Sequence, residues 1–146
     1  MNIKTRDFGD IIVNEDDTIN FTCGMYGFDE YNKYVILKDN PEDDVMYLQS
    51  VDNTNLSFVL IDPYSILRNY ELSLIDEDLN ELGVETEEEL KFLVIAIIKE
   101  EFKDSVVNLK SPIAINPITK VAKQVIVQNS YPLRYNIVNA WEGSKC

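Results

Sequence analysis

Histidine does not occur anywhere in this 146-residue chain. Its absence removes the commonest general base, the usual zinc ligand and the middle member of a hydrolase triad. A paired-carboxylate enzyme stays chemically open, but the acidic residues lie in runs, the usual pattern of exposed carboxylates. The chain is therefore read as a non-enzyme, with no catalytic residue, no cofactor and no metal. Cysteine is nearly absent too. Cys23 and Cys146 make no disulfide framework, which fits a reducing compartment. Cys23 has no His or Lys beside it and is expected to be a buried small hydrophobe rather than a reactive thiol.

Basic residues are scarce: 13 Lys and Arg stand against 26 Asp and Glu, a formal net charge of -13. Such a field repels phosphate backbones, so no direct nucleic-acid binding is expected. It would draw in basic proteins, although solubility alone would also account for it. Long apolar runs are missing. The longest, Phe92 to Ile98, is far too short to span a bilayer, and Met1 to Arg6 lacks the apolar run of a signal peptide. The expected location is the cytoplasm, with no membrane partner. What remains is 45% apolar and 27% charged, the balance of a globular chain. At this length about 70% of the unfolded surface can be buried, enough for one core.

The first half alternates short apolar runs with turn residues. Ile3 to Val13 reads as a hairpin turning at Gly9-Asp10, and Thr18 to Phe21 as a further strand. Phe21-Thr22-Cys23-Gly24-Met25-Tyr26-Gly27-Phe28 reads as a loop folding back over the core, and no Lys-Ser or Lys-Thr follows to make it a phosphate loop. Tyr34 to Leu37, Val45 to Ser50 and Leu56 to Ile61 are strands, separated by Asn40 to Asp44 and Asp52 to Asn55 and closed by Asp62-Pro63.

Asp76 to Leu82 predicts a short helix, with acidic residues in its first turn and Gly83 as its C-cap. Thr86 and Glu89 fit a capping box. Phe92 to Ile98 is read as a central strand covered on both faces, with Val94, Ile95, Ala96 and Ile97 almost completely buried. Pro112 to Asn116 and Ala122 to Val127 pair around Pro117 to Lys120. Asn129 to Cys146 is read as a short helix or a loosely held tail, uncertain from about residue 136. The fold class is thus mostly β: one antiparallel β-barrel-like or sandwich domain over residues 1–146, with one or two short helices. The free protein is expected to be monomeric.

Several segments, in order, resemble the flagellar assembly factor FliW family. Phe21-x-x-Gly24-x-x-Gly27-Phe28 is similar to its Phe-x-x-Gly-Ile-Pro-Gly-Phe segment, with Met25-Tyr26 in place of Ile-Pro. Leu48-Gln49-Ser50-Val51-Asp52 matches its Leu-Gln-Ser-Val-Asp stretch. Phe58-Val59 with Asp62-Pro63, Leu82-Gly83, Asn108-Leu109-x-x-Pro112-Ile113-x-Ile115-Asn116 and Ala122-Lys123-Gln124-Val125 follow. The match covers roughly residues 1 to 135. The resemblance implies a β-barrel-like fold and two protein partners. One is flagellin before export; the other is the translational regulator CsrA, an RNA-binding repressor of flagellin messenger RNA that the factor captures once flagellin leaves.

Two groups are candidate partner contacts. Asn108, Leu109, Pro112 and Ile113 join a polar turn to an apolar strand where the match is dense. Asp52 and Asn53 sit at a strand-end turn, the kind of loop that carries function. Turn formation and strand-end packing would equally explain both groups. The alternative function is a small-ligand- or carbohydrate-binding β-barrel or a carboxylate-dependent hydrolase, which needs an aromatic-lined cavity with two converging acids.

Overall fold

The computed structural model describes residues 1–23 and 25–138; Gly24 and the segment 139–146, with Cys146, lie outside the described residues. The chain opens with the expected hairpin of β1 (Asn2–Lys4) and β2 (Asp10–Ile12), in register Ile3 to Ile11. The reversal occupies residues 5–9 rather than Gly9-Asp10. Thr5 closes it, its hydroxyl donating to Gly9 O and accepting from Phe8 N, while Gly9 takes a φ of 66°. Strands β3 (Ile19–Phe21), β4 (Lys33–Leu37), β5 (Val45–Ser50) and β6 (Ser57–Ile61) then form a meander of antiparallel neighbours. Asp62 does not merely stop β6. Its carboxylate accepts from Tyr64 N and starts a 3-10 turn with Pro63 in the first position, where a missing N–H costs nothing.

Helix α1 (Asp76–Leu82) ends on Gly83, whose φ of 73° lets its N–H reach the last carbonyls. The capping box forms as well: Glu89 accepts from Thr86 N at 3.0 Å and Glu85 N at 2.8 Å. These backbone bonds, Thr86 first, hold the Glu89 carboxyl below its usual range. Strand β7 (Lys91–Ile97) follows, then β8 (Val106–Val107), β9 (Ile113–Ile115), β10 (Val121–Gln124) and β11 (Tyr135–Asn136).

The sheet closes on itself. Its order runs β7-β6-β5-β4-β3-β10-β9, and β9 returns to pair with β7, giving a seven-stranded barrel. The architecture is therefore a barrel, not a sandwich, and it is antiparallel with one exception. Strands β10 and β3 are parallel, Val121 opposite Asn20 and Ala122 opposite Phe21. Strands β8 and β11 hang from the outer edge of β7 as a flap.

Alternation sorts the side chains. Ile19, Phe21, Tyr34, Met46, Leu48, Leu60, Leu93, Ile113, Ile115 and Ala122 fill the barrel, which is packed side chain against side chain. Burial, then the neighbouring Tyr31, pushes the Tyr34 phenol up to about 12, so Tyr34 stays neutral in that core. On the outer face, Phe92, Val94 and Ala96 of β7 are covered by the stretch that includes Ile66, Tyr70, Leu74, Leu79 and Leu82. β7 is thus covered on both faces, as its composition implies.

That burial does not last the length of the strand. Val94 and Ala96 are buried, Ile95 only partly, and Ile97 is 48% exposed. The registers explain it. β9 begins at Ile113, level with Leu93, so the inner row of β7 loses its barrel neighbour on that edge beyond Leu93. From Ala96 on, the edge belongs to the flap. Cys23 is also exposed rather than buried. It lies past the end of β3, where the chain has left the sheet. Among the described residues no helix is long and apolar enough to cross a membrane.

Candidate functional site

Strand directions place every sequence-predicted contact residue at one end of the barrel. β5 runs into the turn bearing Asp52 and Asn53, β6 leaves from it, and β7 finishes at the same end beside the start of β9. The 22–31 loop covers this end. Met25 is 1% exposed and part of the core, Phe28 N donates to Met25 O, Gly27 turns at a φ of 84°, and Tyr26 N donates to the Gln124 side chain. Phe28 packs edge-on against Phe58 with ring centroids 5.6 Å apart. The loop folds back over the core as its glycines imply, with Gly24 itself outside the described residues.

A buried amide organises the other half of this end. Gln49 is 1% exposed. Its Oε1 accepts from Arg6 N at 3.0 Å, and its Nε2 reaches the carbonyls of Ser50, Asn53, Thr54 and Leu56 at 3.0–3.2 Å. Ser50 Oγ accepts from Asp52 N and Asn53 N. One strand end thus fixes both the turn with the candidate residues and the tip of the β1–β2 hairpin. Asp52 stays exposed beside a polar depression of about 380 Å³ shared with Met1, Glu15, Asn20 and Lys33.

The second candidate group divides by burial. Leu109 and Ile113 are 1% and 0% exposed and Pro112 is buried. Leu109 packs outside β7 and its carbonyl accepts from the Tyr70 hydroxyl, while Ile113 faces into the barrel. Burial holds the Tyr70 phenol above its ordinary pKa, which keeps that donor protonated. These three present no side-chain surface. Asn108 does: half-exposed, its Oδ1 accepts from Lys110 N and Ser111 N, and it lines an apolar depression with Ile95, Ile97, Val106, Leu133 and Arg134. Sequence reasoning read Ile97 as core and did not single out Leu133 or Arg134. No local signal marks them, because the depression exists only where β7 outruns β9.

The opposite end of the barrel is acidic. Asp62, Tyr64, Glu87, Glu88, Leu90, Lys91 and Phe92 line an open depression of about 400 Å³. It brings acidic and aromatic side chains together. Two of those carboxylates already accept backbone N–H groups, Asp62 from Tyr64 and Glu87 from Leu74. Between Arg68 and Lys91 the chain carries Glu71, Asp76, Glu77, Asp78, Glu81, Glu85, Glu87, Glu88 and Glu89 and no basic residue. Lys123, reaching across from β10, binds Asp78 and Glu81 at 2.6 Å each. Burial opposes its charge, but those two hydrogen bonds outweigh the effect and raise its pKa. Among the described residues no group of three or more acidic or Cys side chains is placed to hold a metal ion.

The family model described as "FliW protein" matches residues 2–137. The chain belongs to the FliW family. A relative from Thermoanaerobacter pseudethanolicus, described as flagellar assembly factor FliW, is 35% identical, covering 99% of this chain and 100% of its own. A relative of the same description from Geobacillus kaustophilus is 38% identical over 89% of this chain and 90% of its own. A crystal structure of the flagellar assembly factor FliW superposes with a TM-score of 0.86 at 36% identity, covering 94% of this chain and 96% of that one. The resemblance read from the ordered motifs is thus shown, and the mostly β barrel is the family's fold.

Proposed function

We propose that this FliW-family chain acts in the cytoplasm, not as an enzyme, by binding flagellin and, in flagellin's absence, capturing CsrA and so relieving repression of flagellin messenger RNA. The observation that carries the reading is the family membership over nearly the whole chain. The structure supports a binding role: the barrel interior is filled, and the polar turns and the acidic flank are left on the surface. The proposed contact region is the barrel end that carries Asp52, Asn53 and Asn108, with Leu109, Pro112 and Ile113 shaping it from beneath. Direct RNA binding is disfavoured by the net charge of -13.

Output follows partner exchange if both partners draw on one free pool of the protein. Flagellin titrated into a preformed complex with CsrA should therefore release CsrA, which size-exclusion chromatography or fluorescence anisotropy reads directly. A stable ternary complex, with neither affinity reduced, would show that the partners are not exchanged.

The acidic flank has a separate role in this scheme. A partner with a basic surface is steered by it, and steering acts on k_on and fades with salt, because screening at 0.15 M sets in over about 8 Å. Changing Glu85, Glu87, Glu88 and Glu89 together to Gln should lower k_on for CsrA several-fold to about tenfold at low salt and leave k_off nearly unchanged. Gln keeps the carbonyl oxygen that Glu87 and Glu89 offer to backbone N–H groups, so the local fold survives. Stopped-flow association at two salt concentrations separates steering from contact, since a contact would raise k_off and persist at high salt.

A further inference from the structure

The β1–β2 hairpin forms a sheet of its own, outside the barrel order. It is fastened nonetheless: Arg6 N donates to Gln49 Oε1, and the Phe8 ring packs edge-on against Tyr47 with centroids 5.4 Å apart. Backbone bonds join Thr5 N to Gly9 O and Val13 N to Met1 O. Because such bonds alternate along an antiparallel pair, the N–H and C=O groups of Asp10 and Ile12 point away from β1. Among the described residues, nothing bonds to them. Strand β2 thus presents an open edge. Natural edges are blunted by charge or by a cover, yet Ile12 is 83% exposed beside Asp10. The two strands line an open depression of about 430 Å³.

Backbone chemistry and charge name the occupant. Unpaired N–H and C=O groups at strand spacing take another extended chain, which continues the ladder. Side chains set opposite Asp10 and Ile12 would lie on the outer face, within cross-strand contact of those two. An aliphatic residue suits Ile12, and a Lys or Arg suits Asp10. The surroundings carry the same preference, since Asp7, Glu15, Asp16 and Asp17 are all exposed on the segments flanking β2. The β1 edge is open as well, but its own charges are the basic Lys4 and, just beyond it, Arg6. A second copy of β2 could form the same backbone bonds. It would bring together two chains of net charge -13 and set each Asp10 opposite an Ile12.

We propose that the free edge of β2 is a strand-addition site, at which a partner protein pairs an extended, basic segment antiparallel to Asp10–Ile12. The segment sets an aliphatic side chain opposite Ile12 and, two residues later, a Lys or Arg opposite Asp10. Antiparallel pairing is the stronger of the two senses per residue. Anchorage of the hairpin to Gln49 keeps the edge formed beforehand, so only the incoming segment has to be ordered.

The test titrates the isotope-labelled full chain with the acetylated, amidated pentapeptide Thr-Val-Thr-Lys-Thr and reads the backbone amides by NMR. The amides of Asp10 and Ile12 should shift, and their exchange with solvent should slow. Ile12→Pro removes one outward donor and none of the bonds to β1, and should weaken binding about tenfold. Asp10→Lys leaves the backbone intact and should weaken it several-fold at low salt, while a peptide with Glu in place of Lys should bind that variant better than the parent. Thermal unfolding checks that both variants fold, and if Ile12→Pro does not, Asp10→Lys carries the test. No shift at Asp10 and Ile12 at millimolar peptide overturns the site. Parent-like binding by a folded Ile12→Pro variant shows side-chain contact without strand pairing and overturns it too. Equal binding of the Lys and Glu peptides to the parent overturns the basic segment. Concentration-dependent shifts at β2 without peptide assign the edge to a second copy and overturn the partner.

Discussion

Truncating Leu93 to Ala should cost about 2–5 kcal/mol of stability, whereas Ile97 to Ala, four residues along the same strand and in the same inner row, should cost less than about 1 kcal/mol. Leu93 is wholly buried inside the barrel, level with Ile113. Removing three carbons there leaves a cavity that a closed ring of strands has little freedom to collapse around. Ile97 is 48% exposed, so its truncation gives up only part of one side chain's burial and opens no cavity. Urea titration of both variants measures the contrast. A loss at Ile97 equal to that at Leu93 would mean that the overhang of β7 is covered in solution.

Gln49 should be nearly as sensitive, and for a different reason. Gln49→Ala is expected to cost about 2–4 kcal/mol, since it strips Arg6 N of its acceptor and leaves buried turn carbonyls without a donor. Gln49→Met separates the causes. It restores most of the volume but none of the hydrogen bonds, so a loss that persists in Met is polar in origin. The same substitution unfastens the turn of Asp52 and Asn53 from the hairpin tip, so partner affinity should fall alongside stability. If Met restores full stability, the buried amide is filling space and nothing more.

Much of the barrel was legible because its strands obey local rules. Val45 to Ser50 is bounded by turn chemistry on both sides, and the strand has those bounds. The helix at Asp76–Leu82 and the Thr86 capping box are likewise local, each set by residues within one turn. Closure was not legible. The choice between barrel and sandwich is made by β10 lying parallel to β3, two short strands about a hundred residues apart with nothing in either to announce the other. The overhang of β7 has the same origin. An apolar run shows that a strand is covered, but where Ile97 emerges depends on where β9 begins. The candidate site suffered likewise. Asp52 and Asn53 form an exposed turn as their types suggest, while Leu109 and Ile113 proved buried because their strand neighbours, not their own identities, decide which way they face.

The parallel pair that closes the barrel also dictates when the protein can first exist. Strand β3 is complete by Phe21, yet its partner ends at Gln124, so one edge of the growing sheet stays unpaired until most of the chain has left the ribosome. Joining such distant segments carries a large loop-closure entropy and makes high-contact-order barrels slow to form. The unpaired edge is meanwhile a template for wrong pairing. A fragment lacking β9 and β10 would have neither a sealed interior nor an ordered rim, so the acidic flank, the loop that covers the core and the overhang of β7 all arise in one late event. The folded barrel is thereby present either whole or not at all.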